Sequence, residues 1–164
     1  MTLRYSRRFW YTDKKLKMLH TKSFVNDPRD LPMTGIPFPG FWQSYLHKQR
    51  EWRITIVGRE TFDAEIYTDK PAKDDWRVHQ NSAAVEFKRG TFPADQKEKC
   101  FEYLDAMGLR VGMFDFVESP DGTITFLECN PNGQYGWLED SLGFPIADTI
   151  ANELSIIAEA DNGF

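Results

Sequence analysis

Two pairs of short segments with the composition of β-strands, each pair joined by a tight turn, constrain the fold of this chain more than any other feature. Residues 52–57 alternate in polarity, and a glycine-containing turn leads from them into residues 62–67, which predicts an antiparallel hairpin. Residues 111–117 and 123–129 flank a Pro-Asp-Gly turn and predict a second hairpin. Three shorter strands are also predicted, over residues 41–46, 76–79 and 85–88.

Two helices complete the predicted architecture. Pro93 suits the first turn of a helix, Gly108 suits its end, and apolar residues recur between them at helical spacing. Pro145 precedes a second predicted helix, which has one apolar face. Loops are predicted over residues 26–40 and 130–136, which are rich in Pro, Asn and Gly. This order of elements predicts an α+β fold, with a largely antiparallel sheet and helices packed on one side.

Composition excludes several classes of protein. The 164 residues suit one domain or part of a larger one, and thirteen Phe with five Trp supply enough apolar surface to exclude disorder. No uncharged apolar run approaches the roughly 18 residues that a membrane span needs. No apolar segment follows the basic N-terminal residues, and two Cys cannot form a disulfide framework, so a reducing cytoplasm is the expected compartment.

Charge is distributed unevenly along the chain, whose net charge is −5. Residues 1–22 carry seven Lys and Arg and one Asp, whereas residues 111–164 carry ten Asp and Glu and no Lys or Arg. The acidic half argues against nucleic-acid binding, which requires neutralisation of phosphates. It is compatible with a divalent cation, and equally with a solvated acidic surface.

The stretch from Asp115 to residue 134 is the most informative about chemistry. Asp115 lies in the middle of an apolar strand, where an unpartnered carboxylate is costly to bury, and Glu128 and Asn130 share one face of the following strand. If Asp121 and Gly122 form a two-residue turn, Asp115 lies opposite Glu128. A four-residue loop would leave the two carboxylates diagonal, still on one face.

Two readings of this carboxylate pair remain open. Two carboxylates about 5 Å apart repel each other unless a positive charge lies between them, and hard oxygen ligands suit Mg²⁺. Alternatively, Asp115 and Glu128 pair separately with Arg53 or Arg77, or stand on a solvated face of the sheet.

These residues also resemble a known family. Asp115, followed on the next strand by Glu128 and Asn130, is similar to the magnesium triad of ATP-grasp ligases. The string FLECNPNGQ, with WLE and GFPIA after it, narrows the resemblance to the maturases of ribosomally made peptides (the microviridin or graspetide type) and to ligases like glutathione synthetase. Upstream, the strings WQSYLHK, EWRITIVG, FDAEI and DWR extend the resemblance over roughly residues 36–155, in the family's order.

The resemblance implies a site. Asp115, Glu128 and Asn130 match the metal ligands, and Arg53 and Arg77 match positions that bind phosphates or an acyl-phosphate. Nucleotide-binding positions are matched by Gln43, Tyr45, Leu46, Lys48, Phe126 and Asn132. Phe126 is expected on the face of the metal ligands, but it could equally be a core side chain. Asn132 could equally be a turn residue. Lys48 could equally be solvated, and Arg53 could pair with Glu65 across the strands.

The resemblance also implies the cofactors and the reaction. The cofactors are ATP and Mg²⁺, or Mn²⁺ in its place. In the family a substrate carboxylate takes the γ-phosphoryl group, and an amine or hydroxyl then displaces the phosphate to form an amide or ester. Such an enzyme contributes positioning and electrostatics, so no Ser or Cys nucleophile is required.

The family pattern is only partly present. The resemblance is to the C-terminal subdomain, assigned to residues 36–160, and residues 1–35 are interpreted as the remnant of the preceding subdomain. The Gly-rich loop and the lysine strand that cover the phosphates are not recognisable. The expected partners are therefore a peptide or amino-acid substrate and a chain supplying the missing half, or a second copy, with no nucleic acid and no membrane. The alternative is a non-catalytic module of the same fold that binds a peptide or a protein.

Overall fold

The computed structural model describes residues 46–69, 76–78 and 82–161, together with the strand backbones at 3–6, 10–12, 15–17, 22–24 and 41–44. Several predictions lie outside the described residues: the loop over residues 26–40 and the domain boundary at residue 36. Most of residues 69–75, a charged stretch that the sequence also predicts to be a loop, lies outside them too. Among the described residues, no helix is long and apolar enough to cross a membrane.

The chain divides into two compact units, and the first comprises residues 1–47 and 68–85. It contains a three-stranded antiparallel sheet of order β4-β1-β5 and a separate antiparallel pair, β2 with β3. The strand bounds are Leu3–Ser6 for β1, Trp10–Thr12 for β2, Lys15–Lys17 for β3, Lys22–Phe24 for β4 and Phe41–Ser44 for β5.

One predicted strand in this unit is wrong. Residues 76–79 were expected to be extended, but Trp76–Val78 forms a single turn of 3₁₀ helix with Trp76 buried. So short an apolar run fits one helical turn as well as a strand, because it contains less than one repeat of either period.

The second unit, residues 48–67 and 86–164, is built on a five-stranded sheet of order β10-β9-β6-β7-β8. Both predicted hairpins are present, and β6 pairs antiparallel with β7 and with β9. The bounds are Arg50–Val57 for β6, Glu60–Thr68 for β7, Val85–Arg89 for β8, Val111–Glu118 for β9 and Ile124–Asn130 for β10.

Three helices cover this sheet: α1 (Ala94–Met107), α2 (Gly136–Leu142) and α3 (Ile146–Asp161). Alternate residues of β6 separate the two faces. Ile54 packs with α1 residues Cys100 and Leu104 on the first face, whereas Val57 packs with α2 and the start of α3 on the second. The α+β class and the antiparallel sheet are confirmed, but the helices lie on both faces and not on one side.

Helix α2 was not predicted. It has only seven residues, and it follows a Pro- and Asn-rich loop that hides its start. Its packing is nonetheless firm, because Leu138 is fully buried and Gly143 ends the helix in the left-handed conformation. Glu139 Oε1 accepts a hydrogen bond of 2.7 Å from the Ala147 N–H, which joins α2 to the first turn of α3.

Candidate functional site

A row of charged residues crosses three neighbouring strands on the second face of the sheet. Arg53 of β6 lies opposite Asp115 of β9, and Asp115 lies opposite Glu128 of β10. Asn130 is two residues farther along β10, opposite Met113, and therefore faces the same way. The prediction that Asp115 and Glu128 share a face is confirmed, and of the two arrangements left open the opposite one is observed.

The hairpin reaches this register by an unexpected route. Its loop has three residues, not two: the Gly122 N–H donates to Ser119 O and the Ser119 N–H to Thr123 O, both at 2.9 Å. Gly122 has a φ of 83°, as expected for the left-handed residue that ends such a loop. The longer loop alone would leave Asp115 out of register with Glu128, but a β-bulge between Phe126 and Glu128 restores the pairing.

The same bulge overturns the expected position of Phe126. Regular alternation would place Phe126 on the face of Glu128, but Phe126 pairs with Phe116 and its ring lies 5.6 Å from that of Phe116. Phe126 also contacts Tyr103 of α1, at 6.2 Å between ring centroids. It therefore lies on the first face, away from the carboxylate row, as part of an aromatic cluster.

Arg53 is a buried cation held by Asp115. Its Nε lies 2.7 Å from Asp115 Oδ1, and the two side chains are only 9% and 17% exposed. The N–H direction misses hydrogen-bond geometry, so within the described residues Nε forms an ion pair but no hydrogen bond. The Arg53 guanidinium also lies over the Trp137 ring of α2, 5.9 Å from its centroid. The expected alternative, a pair between Arg53 and Glu65, is wrong because Glu65 faces the opposite side.

The end of β10 orients the amide of Asn130. Asn130 Oδ1 accepts a hydrogen bond of 3.0 Å from the Asn132 N–H, which forms an Asx turn. This bond uses one lone pair of Oδ1 and leaves the oxygen able to accept a second interaction. Asn132 thus takes part in the turn through its backbone, and its side chain is exposed.

Lys48 is not the solvated side chain that its alternative reading suggested. It is 8% exposed and forms an ion pair with Glu51, which shares the face of Arg53 along β6. A nucleotide-binding role for Lys48 would have to include this partner.

The donor set fits a hard divalent cation. No group of three or more His, Cys, Asp or Glu side chains that could hold a metal is found among the described residues. The candidate set therefore comprises two carboxylates and one amide oxygen, with room in an octahedral shell for water or phosphate oxygens. Cys129, between Glu128 and Asn130, points to the other face, and burial raises the pKa of its thiol to about 11. It is therefore a poor ligand and nucleophile near neutral pH.

The remaining predicted residues belong to the first unit or lie outside the described residues. Arg77 is exposed in the 3₁₀ helix, and Leu46 is partly buried just after β5. Gln43 is in β5 opposite Arg4, with only its backbone described, and Tyr45 lies outside the described residues. Their roles stay predictions.

Trp137 is a site residue that the sequence did not reveal. Its ring packs against Phe87 of β8, at 4.7 Å between centroids, as well as against Arg53. The available signal was a pair of leucines, Leu138 and Leu142, four residues apart and followed by Gly143, which together mark a short helix.

Comparison with known proteins gives matches among solved structures. The RiPP-associated ATP-grasp ligase of Chryseobacterium gregarium, solved with ADP and a leader and core peptide, is 25% identical with a TM-score of 0.80. The alignment covers 92% of this chain and 47% of that one. The macrocyclase MdnC of Microcystis aeruginosa MRC, bound with its precursor peptide MdnA, is 30% identical with a TM-score of 0.72, covering 91% and 47%.

A third ligase supports the fold alone. The ATP-grasp ligase PsnB, complexed with a variant of its minimal precursor, Mg and ADP, is 18% identical with a TM-score of 0.67, covering 96% of this chain and 46% of that one. No family model and no curated protein matches the chain. The chain spans about half the length of the ligases it matches. It therefore has a partial ATP-grasp fold, similar over nearly its whole length to RiPP-associated ATP-grasp ligases.

Proposed function

We propose that this chain is the metal- and nucleotide-binding part of an ATP-dependent ligase that joins a carboxylate to an amine or a hydroxyl on a peptide. One observation carries the proposal: Asp115 and Glu128 lie opposite each other, with Asn130 on the same side, on the second face of the sheet in a partial ATP-grasp fold. The similar proteins from Chryseobacterium and Microcystis are peptide-associated ligases, solved with precursor peptides and in one case with ADP.

Each residue of the row has a distinct task in this proposal. Asp115, Glu128 and Asn130 hold Mg²⁺ through oxygen atoms, and the Asx turn at Asn130 keeps the amide oriented. Bound Mg²⁺ would supply neutralisation of the nucleotide phosphates. Arg53 supplies a permanent positive charge for phosphoryl oxygens, and its planar guanidinium suits two oxygens at once.

The chemistry follows the order that an acyl-phosphate requires. A substrate carboxylate oxygen attacks the γ-phosphorus and releases ADP, and the amine or hydroxyl then attacks the acyl carbon and releases phosphate. The described residues offer positioning and charge for both steps. Arg77 is a second proposed phosphate-binding cation, and Gln43, Tyr45, Leu46 and Lys48 remain proposed nucleotide contacts.

A second candidate function rests on the extent of the match. The chain spans 47% of each of the two ligases. In this second proposal the fold is a non-catalytic module that binds a peptide or a protein. The two functions differ in whether the carboxylate row binds nucleotide with metal.

Calorimetric titration of the chain with ATP, with and without Mg²⁺, tests the proposal. We expect Mg²⁺-dependent binding that the Asp115→Asn/Glu128→Gln double variant loses. Asp105→Asn is the matched control, because it also removes a carboxylate but lies in an exposed ion pair with Arg59. Binding that survives in the double variant, or its absence from the folded wild-type chain, would contradict a nucleotide site at this row and favour the non-catalytic module.

A further inference from the structure

The charge balance of the carboxylate row is unusual for a metal site. Asp115 and Glu128 lie on adjacent strands with facing side chains, and the cation in contact with Asp115 is Arg53. Asp115 therefore already has a positive partner at the position where the proposed function requires it to bind a metal.

We propose that Arg53 is a built-in counter-ion of this carboxylate pair, and that a divalent cation binding to Asp115 and Glu128 competes with it. The proposal rests on the proposed metal site and adds how that site is regulated. With the metal absent, Arg53 offsets the repulsion between the carboxylates. With the metal bound, the hold of Asp115 on Arg53 weakens, and the guanidinium becomes available to an anionic ligand.

Burial makes this competition strong. The Arg53 and Asp115 side chains are 9% and 17% exposed, so solvent and salt screen their charges less than on the surface. A monovalent and a divalent cation within a few ångströms of one carboxylate repel each other under these conditions. Metal affinity should therefore rise when the charge of Arg53 is removed.

The geometry also allows Arg53 to yield. Its Nε approaches Asp115 Oδ1 at 2.7 Å without hydrogen-bond geometry within the described residues, so this contact is electrostatic and less directional than a hydrogen bond. The Trp137 ring beneath the guanidinium provides a second favourable contact that does not depend on Asp115. If its pair with Asp115 weakens, Arg53 therefore keeps one favourable contact, the Trp137 ring.

The test is a titration of the full chain with Mn²⁺, in which free Mn²⁺ is followed by electron paramagnetic resonance. The variants are Arg53→Met and Arg53→Gln, which remove the charge in two shapes, and Arg53→Lys, which keeps it. Arg59→Met is the matched control, since Arg59 forms an exposed pair with Asp105 away from the row. Thermal melts without metal identify the variants that fold.

We expect the folded neutral variants to bind Mn²⁺ about tenfold more tightly than wild type, from the Coulomb repulsion removed. Arg53→Lys and Arg59→Met should stay within about twofold of wild type, because they leave the local charge unchanged. Neutral variants that bind Mn²⁺ with wild-type or weaker affinity would overturn the competition and leave the metal site standing. A lack of Mn²⁺ binding in wild type and neutral variants alike would overturn both.

Discussion

Each face of the central sheet carries an Arg–carboxylate pair, and the two pairs differ in how fully the arginine is hydrogen-bonded. On the first face, Arg50 of β6 lies opposite Glu118 of β9; on the second, Arg53 lies opposite Asp115, three residue pairs away. Both are Arg–carboxylate pairs between the same two strands. Their surroundings differ in how many hydrogen bonds they give the guanidinium.

The first-face pair is closed by hydrogen bonds. Arg50 donates to both oxygens of Glu118, at 2.8 and 3.0 Å, and Trp52 Nε1 donates to the same carboxylate at 2.8 Å. The third Arg50 nitrogen is taken by Glu65 and Tyr67, at 3.1 and 2.9 Å. Each of the three guanidinium nitrogens therefore already donates to a neighbouring side chain.

The second-face pair is open by comparison. Within the described part of the chain, Arg53 Nε makes an ion pair with Asp115 but no hydrogen bond. A second carboxylate, Glu128, lies opposite Asp115 on the next strand. The difference shows that burial of an ion pair does not by itself mark a functional site. What distinguishes the second face is a second carboxylate opposite the first, beside a guanidinium whose Nε donates no hydrogen bond within the described residues.

The largest expected effect comes from breaking the closed pair. Glu118→Gln removes the charge that Arg50 and Trp52 share, and we expect a loss of about 3 kcal/mol in the free energy of unfolding, as for other broken buried pairs. Asp115→Asn should cost less, about 1.5 kcal/mol, because relief of the repulsion with Glu128 offsets part of the cost of leaving Arg53 buried without this charge. Urea unfolding at pH 7 measures both, and equal losses would remove the distinction between the faces.

A smaller effect is expected from one added methyl group on each face. A Cβ at Gly112 would lie 2.7 Å from Leu104 Cδ2 of α1, closer than any ordinary contact, whereas a Cβ at Gly133 would lie 3.1 Å from Met113 Cβ, which a shift of a few tenths of an ångström would relieve. We expect Gly112→Ala to cost about 2 kcal/mol by overpacking and Gly133→Ala less than about 1 kcal/mol. A larger loss of thermal stability for Gly133→Ala would show that the second face is the more tightly packed.

The closed pair should also give a pH signature. The hydrogen bonds from Arg50, before those from Trp52, hold the pKa of Glu118 below its ordinary value of 4.5. A lowered folded-state pKa contributes stability that is present above the unfolded value and is lost as the pH falls through the folded value. The stability gap between wild type and Glu118→Gln should therefore narrow below about pH 4.5, as urea midpoints from pH 7 to pH 3 would show. A constant gap would contradict the assignment.

The smallest effect is expected at an exposed pair that belongs to neither face. Arg59 and Asp105 are 68% and 59% exposed, although they approach to 2.9 Å. Arg59→Met should change stability by no more than about 0.5 kcal/mol, because solvent screens the pair. If Arg59→Met lowered the melting temperature as much as Asp115→Asn, the exposed pair would contribute as much stability as the buried one, which would contradict this prediction.

The sequence was sufficient wherever local patterns repeat. The hairpins follow from strand-like segments on either side of glycine-containing turns, and α1 follows from Pro93 just before its first residue and Gly108 just after its last. The opposition of Asp115 and Glu128 is one of the two arrangements that the sequence left open, although the loop has neither of the two lengths considered. A three-residue loop and a bulge each shift the register by one residue, and the two shifts cancel.

The remaining features depend on contacts that no local pattern encodes. The bulge that turns Phe126 to the first face leaves no mark in the alternation of residues 124–130, so its side was predicted wrongly. Helix α2 is shorter than two full helical repeats, and without it the contact of Trp137 with Arg53 could not be foreseen. The face of the sheet on which each helix packs depends on the path of the loops that precede it, and no local sequence pattern encodes that path.

The most direct test of the central claim is the order in which Mn²⁺ broadens the backbone amide resonances of the chain. Paramagnetic broadening falls steeply with distance, so substoichiometric Mn²⁺ reports where a divalent cation binds. If the second face carries the metal site, the amides of Asp115, Glu128 and Asn130 should broaden first and the Trp52 indole on the first face later. Earlier broadening at the acidic residues of α3, Asp148 and Glu159, would show diffuse attraction to an acidic surface and would contradict a metal site at the carboxylate row.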